Sequence, residues 1–154
     1  MNNFNKYEFR GRKSNFNEEL FYKYDEKARD VVKEALGNFV ADHPDPLCPD
    51  LVFTTQNFKY DYLELQVCTQ WLYDKFPYDN VYIYERKIKY GPKCLFLVLN
   101  KLMTQGYLFH LKGLENAEPR RLKKYSRDFV FDIPWKQCLK VSIKYLDKLT
   151  IEFF

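Results

Sequence analysis

The chain is poor in the residues that most often announce a mechanism. Histidine occurs twice, at His43 and His110, which leaves little material for a histidine-rich metal centre or a Ser-His-Asp triad. The four cysteines, Cys48, Cys68, Cys94 and Cys138, are far apart and form no Cys-x-x-Cys pair. Neither a zinc ribbon nor a disulfide scaffold is expected, and reduced, mostly buried thiols are. Glycine is scarce, with five in all, and no Walker-type phosphate loop or dinucleotide fingerprint is built from them. The longest purely apolar run, Cys94 to Leu99, is six residues, against the roughly 20 that a membrane-spanning helix needs. The opening MNNFNKYEFRGRK has aromatics and charges but no continuous apolar stretch, so no secretory leader is expected. The expectation is a non-secreted protein, cytoplasmic or nuclear, with no membrane partner.

What is present points to an ordinary folded domain. A length of 154 residues suits one domain, and a hydrophobic share of 46% supplies its core. We expect a basic arm over residues 1–14 and a single α/β domain over 15–154. Aromatic content is high at 19%, and Tyr and Phe are frequent beside scarce Gly. An AT-rich genome encodes such usage, as in some large DNA viruses and some protists, so a viral source is one expectation. The net charge of +4 is mild, but the basic residues cluster at Arg10–Lys13, around Arg86, Lys87, Lys89 and Lys93, and around Arg120, Arg121, Lys123, Lys124 and Arg127. A cluster of this kind is most often a solvated face. Interleaving with Tyr82, Tyr84, Tyr90 and Tyr125 also allows stacking on bases together with phosphate contact.

Periodicity predicts the elements. Asn15 with Glu18 fits a capping box, and Leu20, Tyr24, Ala28, Val31 and Ala35 mark one helical face, giving a helix over 17–36 that stops at Gly37. A short strand is expected at 39–41, an irregular proline-containing stretch at 43–49, and a β-hairpin from 51–55 and 58–67 with its turn at Gln56 and Asn57. A short helix is expected from Cys68 to Phe76, strands at 81–90, 94–99 and 107–111, and a polar connection at 113–128. Trp135, Leu139, Ile143 and Leu146 recur at helical spacing and predict a C-terminal helix. The whole reads as one central mixed β-sheet flanked by helices.

The chemistry is carried by Asp50, after Pro49 at the start of one hairpin strand, and by Glu64-Leu65-Gln66 late in the next. Residues two apart on a strand share a face, so Glu64 and Gln66 project together while Leu63, Leu65 and Val67 line the other side. If the strands pair, Asp50 comes to Glu64, and two carboxylates meet. Hard cations such as Mg²⁺ take carboxylate oxygens and water, and such an ion activates water and offsets charge on a phosphate. The bland alternatives are a turn aspartate that opens a strand and a solvent-facing glutamate.

On these residues the chain resembles the PD-(D/E)xK nuclease superfamily, the restriction-endonuclease-like fold. The resemblance covers roughly 17–66: a leading helix, a strand, Pro49-Asp50, thirteen intervening residues and Glu64-Leu65-Gln66. It implies that Asp50, Glu64 and the carbonyl of Leu65 hold Mg²⁺ or Mn²⁺, with Glu19 of the helix completing the site and Glu18 and Glu26 as rivals. It implies hydrolysis of phosphodiester bonds in DNA, or in RNA, by an endonuclease or exonuclease, and in many such enzymes a homodimer. The chain departs from the pattern at Gln66, where the superfamily usually has lysine. Glutamine orients water without adding charge, and Lys87 is a neighbouring substitute. Expected catalytic residues are therefore Asp50, Glu64 and Gln66, and expected nucleic-acid contacts are Arg86, Lys87, Arg120, Arg121, Lys123 and Lys124. Two further readings stay open: a catalytically inactive nuclease-fold binding or structural protein, which the loss of the lysine favours, and an interaction module for a protein partner. Trp71, Trp135 and His110 read as core or structural residues.

Overall fold

The computed structural model describes residues 18–45, 47–55, 58–112, 114, 117–121 and 129–148, without the side chains of 18–23. The expected arm over 1–14, the Asn15 cap and the turn at Gln56 and Asn57 lie outside the described residues. The leading helix, α1, runs Glu18–Leu36. Its spacing buries Ala28, Val32 and Leu36, one residue per turn. Gly37 ends it at φ 56°, a left-handed conformation that glycine adopts without a Cβ clash.

The strands are β1 (Val40–Asp42), β2 (Leu51–Phe53), β3 (Tyr62–Cys68), β4 (Asn80–Tyr84), β5 (Cys94–Asn100), β6 (Gln105–His110), β7 (Arg120–Arg121), β8 (Phe129–Pro134) and β9 (Leu139–Ser142). Six form a mixed sheet in the order β1-β2-β3-β5-β6-β9, and three form a second sheet, β4-β8-β7. Only the β3–β5 pair is parallel; β1–β2, β2–β3, β5–β6 and β6–β9 are antiparallel. A mixed α/β domain with a mixed sheet is thus observed.

Two cores explain the layering. On one face of the larger sheet, Leu51, Leu63, Leu65, Leu95, Leu97 and Leu99 pack with Ala28, Val32 and Leu36 of α1. On the other, Phe96, Val98, Tyr107 and Phe109 pack with Val81, Ile83, Phe131 and Ile133 of the second sheet and with Trp71 and Phe76. Strand β5 lies between them, and all seven of its residues are buried. A strand covered on both faces has no reason to alternate, which is why it reads as a continuous apolar run.

Three expectations are corrected. The second face of the sheet is covered by another sheet, not by a helix. The stretch after β3 is a turn rather than a short helix: the Trp71 carbonyl accepts the Lys101 N–H at 2.7 Å and its indole N–H reaches the Asp74 carbonyl at 3.3 Å, so these groups anchor the loop to the sheet end. Over 129–145 the expected C-terminal helix is replaced by β8, a 3₁₀ turn at Trp135–Gln137, β9 and a second 3₁₀ turn at Ile143–Tyr145, and among the described residues α-helix resumes only at 146–148. Leu139, Val141 and Ile143 alternate as in a strand, while Leu139, Ile143 and Leu146 recur at helical spacing. The open edge of β6 offers backbone partners to the first of these patterns, pairing Gly106 with Val141. Likewise the expected strand over 81–90 stops at Tyr84 and continues as a 3₁₀ helix, Glu85–Tyr90. No helix among the described residues is long and apolar enough to cross a membrane.

Gly106, one residue before the strand expected at 107–111, sits inside β6. A Cβ there would lie 2.7 Å from Leu97 Cδ1 and 2.9 Å from the Val98 carbonyl oxygen. The side-chain contact can relax; the backbone one cannot without shifting β5. Gly106→Ala is expected to cost about 2 kcal/mol and to lower Tm by roughly 4–8 °C, measured by thermal unfolding. An unchanged Tm would show that the two strands slide freely.

Candidate active site

The antiparallel register of β2 and β3 pairs Leu51 with Leu63, which sets Asp50 opposite Glu64 just beyond the last paired residues. Because β2 has not yet begun at Asp50, the Leu65 N–H on that edge has no strand to bond. The Asp50 carboxylate takes the vacant role: Oδ2 accepts the Leu65 N–H at 2.9 Å, and the Asp50 N–H donates to Glu64 Oε1 at 3.0 Å. These crossed bonds bring the two carboxyl groups side by side on one edge of β3. A residue's N–H and C=O leave a strand on the same edge, so the Leu65 carbonyl also faces the Asp50 side.

Two cations enter from opposite layers. Lys87, on the 3₁₀ helix that follows β4, places Nζ 3.0 Å from Glu64 Oε2, with both side chains largely buried. From α1, Arg29 Nη2 lies 2.9 Å from Asp25 Oδ2 and 3.6 Å from Asp50 Oδ1. Three carboxylates, from Asp25, Asp50 and Glu64, thus share two cations, Arg29 and Lys87. Burial, and next the charge of Glu64, push the Asp50 carboxyl up to about 7, against the pull of the Leu65 N–H and Lys87. Asp25 is also raised, first by burial and then by Asp50. The Tyr90 hydroxyl is raised by burial and by Glu64 and Asp50, which places it beside the same cluster.

The donor set suits a hard divalent cation. Two buried carboxylates and a main-chain carbonyl offer oxygen only, and surplus negative charge is what such an ion neutralises. Among the described residues no group of three His, Cys, Asp or Glu side chains is arranged to hold a metal, so a bound ion would depend on the carbonyl and on water for its remaining ligands.

The sequence-derived residues separate accordingly. Asp50, Glu64 and Leu65 come together. Gln66 shares the Glu64 face, but its side-chain amide donates to the Tyr82 carbonyl at 2.9 Å and so ties β3 to β4. Lys87 is corrected from a surface phosphate contact to a member of the carboxylate cluster. Glu19 lies in the first turns of α1, six residues before Asp25, and its side chain is outside the described ones; Glu26 is exposed. Arg86 lies over the Tyr84 ring at 4.4 Å, Arg121 over Phe129 at 5.3 Å, and Arg120 forms a forked pair with Asp132. Lys123 and Lys124 are outside the described residues.

Asp25 and Arg29 were not read from the sequence. The signal was there: they are an i,i+4 charged pair running alongside the buried Ala28–Val32–Leu36 stripe, where a surface helix would ordinarily be apolar.

No protein-family model matches the chain, and no curated protein matches it.

A carboxyl whose folded-state pKa is raised contributes stability that is complete below its unfolded value near 4 and lost as pH climbs to about 7. Asp50→Asn keeps an acceptor for the Leu65 N–H and removes the charge. In chelator-treated protein this variant is expected to gain about 2 kcal/mol over wild type at pH 8 and little at pH 4.5, measured as the difference in Tm. A variant less stable than wild type at pH 8 would mean that the Arg29 attraction outweighs burial and Glu64.

Proposed function

We propose that this chain is a divalent-metal-dependent nuclease-like domain that hydrolyses phosphodiester bonds, in DNA rather than RNA. The observation that carries the reading is the convergence of the Asp50 and Glu64 carboxyls with the Lys87 ammonium in one largely buried cluster. The element order supports a restriction-endonuclease-like arrangement: a leading helix, three antiparallel strands with one acidic residue just before the second and the other on the third, and a parallel strand beside the third.

Asp50, Glu64 and the Leu65 carbonyl would hold Mg²⁺ or Mn²⁺. When bound, such an ion lowers the pKa of its water and offsets charge on the phosphate. The chain's own groups do the rest. The two reciprocal backbone hydrogen bonds fix the carboxylates, so little reorganisation is needed when charge develops. Lys87 supplies, from a different element, the ammonium that the resemblance expects at Gln66, and its place against Glu64 suits it to orient a nucleophilic water. Gln66 then acts indirectly, by holding β4 and the Lys87-bearing turn against β3. Arg86 and Arg121, stacked on aromatic rings at the outer layer, are the surface cations best placed to contact substrate phosphates.

A second reading has one specific observation behind it. Lys87 pairs with Glu64 and Arg29 lies 3.6 Å from Asp50, so protein cations partly offset the pair, an arrangement that also suits a site that binds nucleic acid without cutting.

The test is cleavage of linear, branched and single-stranded DNA with Mg²⁺ or Mn²⁺. Wild type is expected to cut; the Asp50→Ala, Glu64→Ala double variant is expected to be inert. Lys87→Met is expected to lose about 10²-fold or more, as loss of a charge-stabilising group does, and Gln66→Ala much less. Equal behaviour of wild type and the double variant would remove hydrolysis, and metal-independent binding without cleavage would select the second reading.

A further inference from the structure

The oxygens of the acidic pair have divided roles. Asp50 Oδ2 and Glu64 Oε1 accept backbone N–H groups at 2.9 and 3.0 Å, contacts that keep the strands in register. Asp50 Oδ1 and Glu64 Oε2 are the outer oxygens, and they face Arg29 at 3.6 Å and Lys87 at 3.0 Å. Each inner oxygen already carries a backbone N–H, so the outer oxygens are the ones a cation takes with least crowding of the β2–β3 junction. A cation entering there meets two resident cations.

Arg29 is the looser of the two. Its 3.6 Å approach to Asp50 is beyond hydrogen-bond length, while the same Nη2 holds Asp25 at 2.9 Å. Its Nε is buried and has no hydrogen-bond partner among the described residues. The Nε–Nη2 edge of a guanidinium matches two oxygens of a carboxylate or phosphate, and here that edge is half used. Asp25 is in place to keep the side chain at the site if Asp50 lets go.

Building on the metal-site reading above, we infer that Arg29 is a positioning residue that competes with the divalent cation for Asp50 and, once displaced, stays anchored by Asp25 and offers its idle N–H edge to a phosphate oxygen. Lys87 imposes the same competition at Glu64. Arg29 and Lys87 hold the outer oxygens, and metal affinity is set by how readily they yield.

The experiment measures Mn²⁺ binding to the full chain at pH 7.5 without nucleic acid, by the paramagnetic resonance signal of free Mn²⁺. Arg29→Gln is expected to tighten Mn²⁺ binding by about three- to tenfold, a modest range because the side chain is 34% exposed and partly screened. Arg29→Lys, which keeps the charge, is expected to stay near wild type, and Asp50→Asn to lose the ion. With Mn²⁺ saturating, inorganic phosphate is expected to bind Arg29→Gln about tenfold more weakly than wild type, as loss of a charge-assisted hydrogen bond implies.

If Asp50→Asn abolishes Mn²⁺ binding but Arg29→Gln binds it no tighter than wild type, the competition is refuted while the metal site stands. If Arg29→Gln binds phosphate as wild type does, the phosphate contact is refuted. If neither wild type nor an Arg29→Gln, Lys87→Gln double variant holds Mn²⁺ at millimolar concentration, the metal site itself is refuted, and this inference with it. Thermal unfolding of each variant checks the fold. Should Lys87→Gln not fold, Arg29→Gln alone decides, because it removes a side chain at the rim.

Discussion

Two crossed hydrogen bonds between the start of β2 and the middle of β3 govern the rest of the site. Asp50 gives its backbone N–H to the Glu64 carboxylate, and the Leu65 backbone gives its N–H to the Asp50 carboxylate. They exist because β2 begins one residue after Asp50, leaving an unpaired edge that a short acidic side chain fills. Shift the register by one residue and every side chain of β3 changes face: Glu64 would point at α1 and Leu65 at the second sheet. The apolar packing of Leu63 and Leu65 against Val32 and Leu36 is what prevents that slip. Hydrophobic burial on one face thereby fixes polar geometry on the other.

That geometry carries an electrostatic cost. Burial first, and then the like charge of Glu64, push the Asp50 carboxyl up to about 7. The fold offsets the cost from two sides at once, with α1 contributing Arg29 and the 3₁₀ helix after β4 contributing Lys87. Neither side alone supplies enough charge: three carboxylates still face two cations. A site with residual negative charge and oxygen donors is poorly suited to pure stability and well suited to receiving a divalent cation or a proton. Perturbed carboxyl groups of this kind gather at functional sites more than elsewhere.

Much of this was legible in the residues, and the limits have physical causes. The leading helix, the Gly37 stop and the hairpin pairing of Asp50 with Glu64 followed from local rules of periodicity and turn chemistry. The parallel β3–β5 neighbour and the second sheet did not, because non-local strand pairing leaves no local pattern. The C-terminal misreading has a sharper cause: Leu139 and Ile143 belong to two periods, a strand one with Val141 and a helical one with Leu146, and only the open edge of β6 chooses between them. At the site, the residues brought by neighbouring strands were visible and those brought across layers were not. Lys87 was seen as basic and near enough to matter, yet its approach to Glu64 depends on a 3₁₀ turn that read as strand. Asp25 and Arg29 required knowing which helical face meets the sheet edge. Gln66 shares the Glu64 face, but its amide is engaged by the Tyr82 backbone, a partner from the other sheet.

The most direct measurement is anomalous X-ray scattering from crystals of the wild-type chain grown with Mn²⁺, collected above and below the manganese edge. The account predicts one strong anomalous peak within coordination distance of Asp50 Oδ1, Glu64 Oε2 and the Leu65 carbonyl, with the Lys87 ammonium drawn away from Glu64 but still beside it. No peak at that place in well-ordered crystals, with the Lys87–Glu64 pair undisturbed, would contradict it.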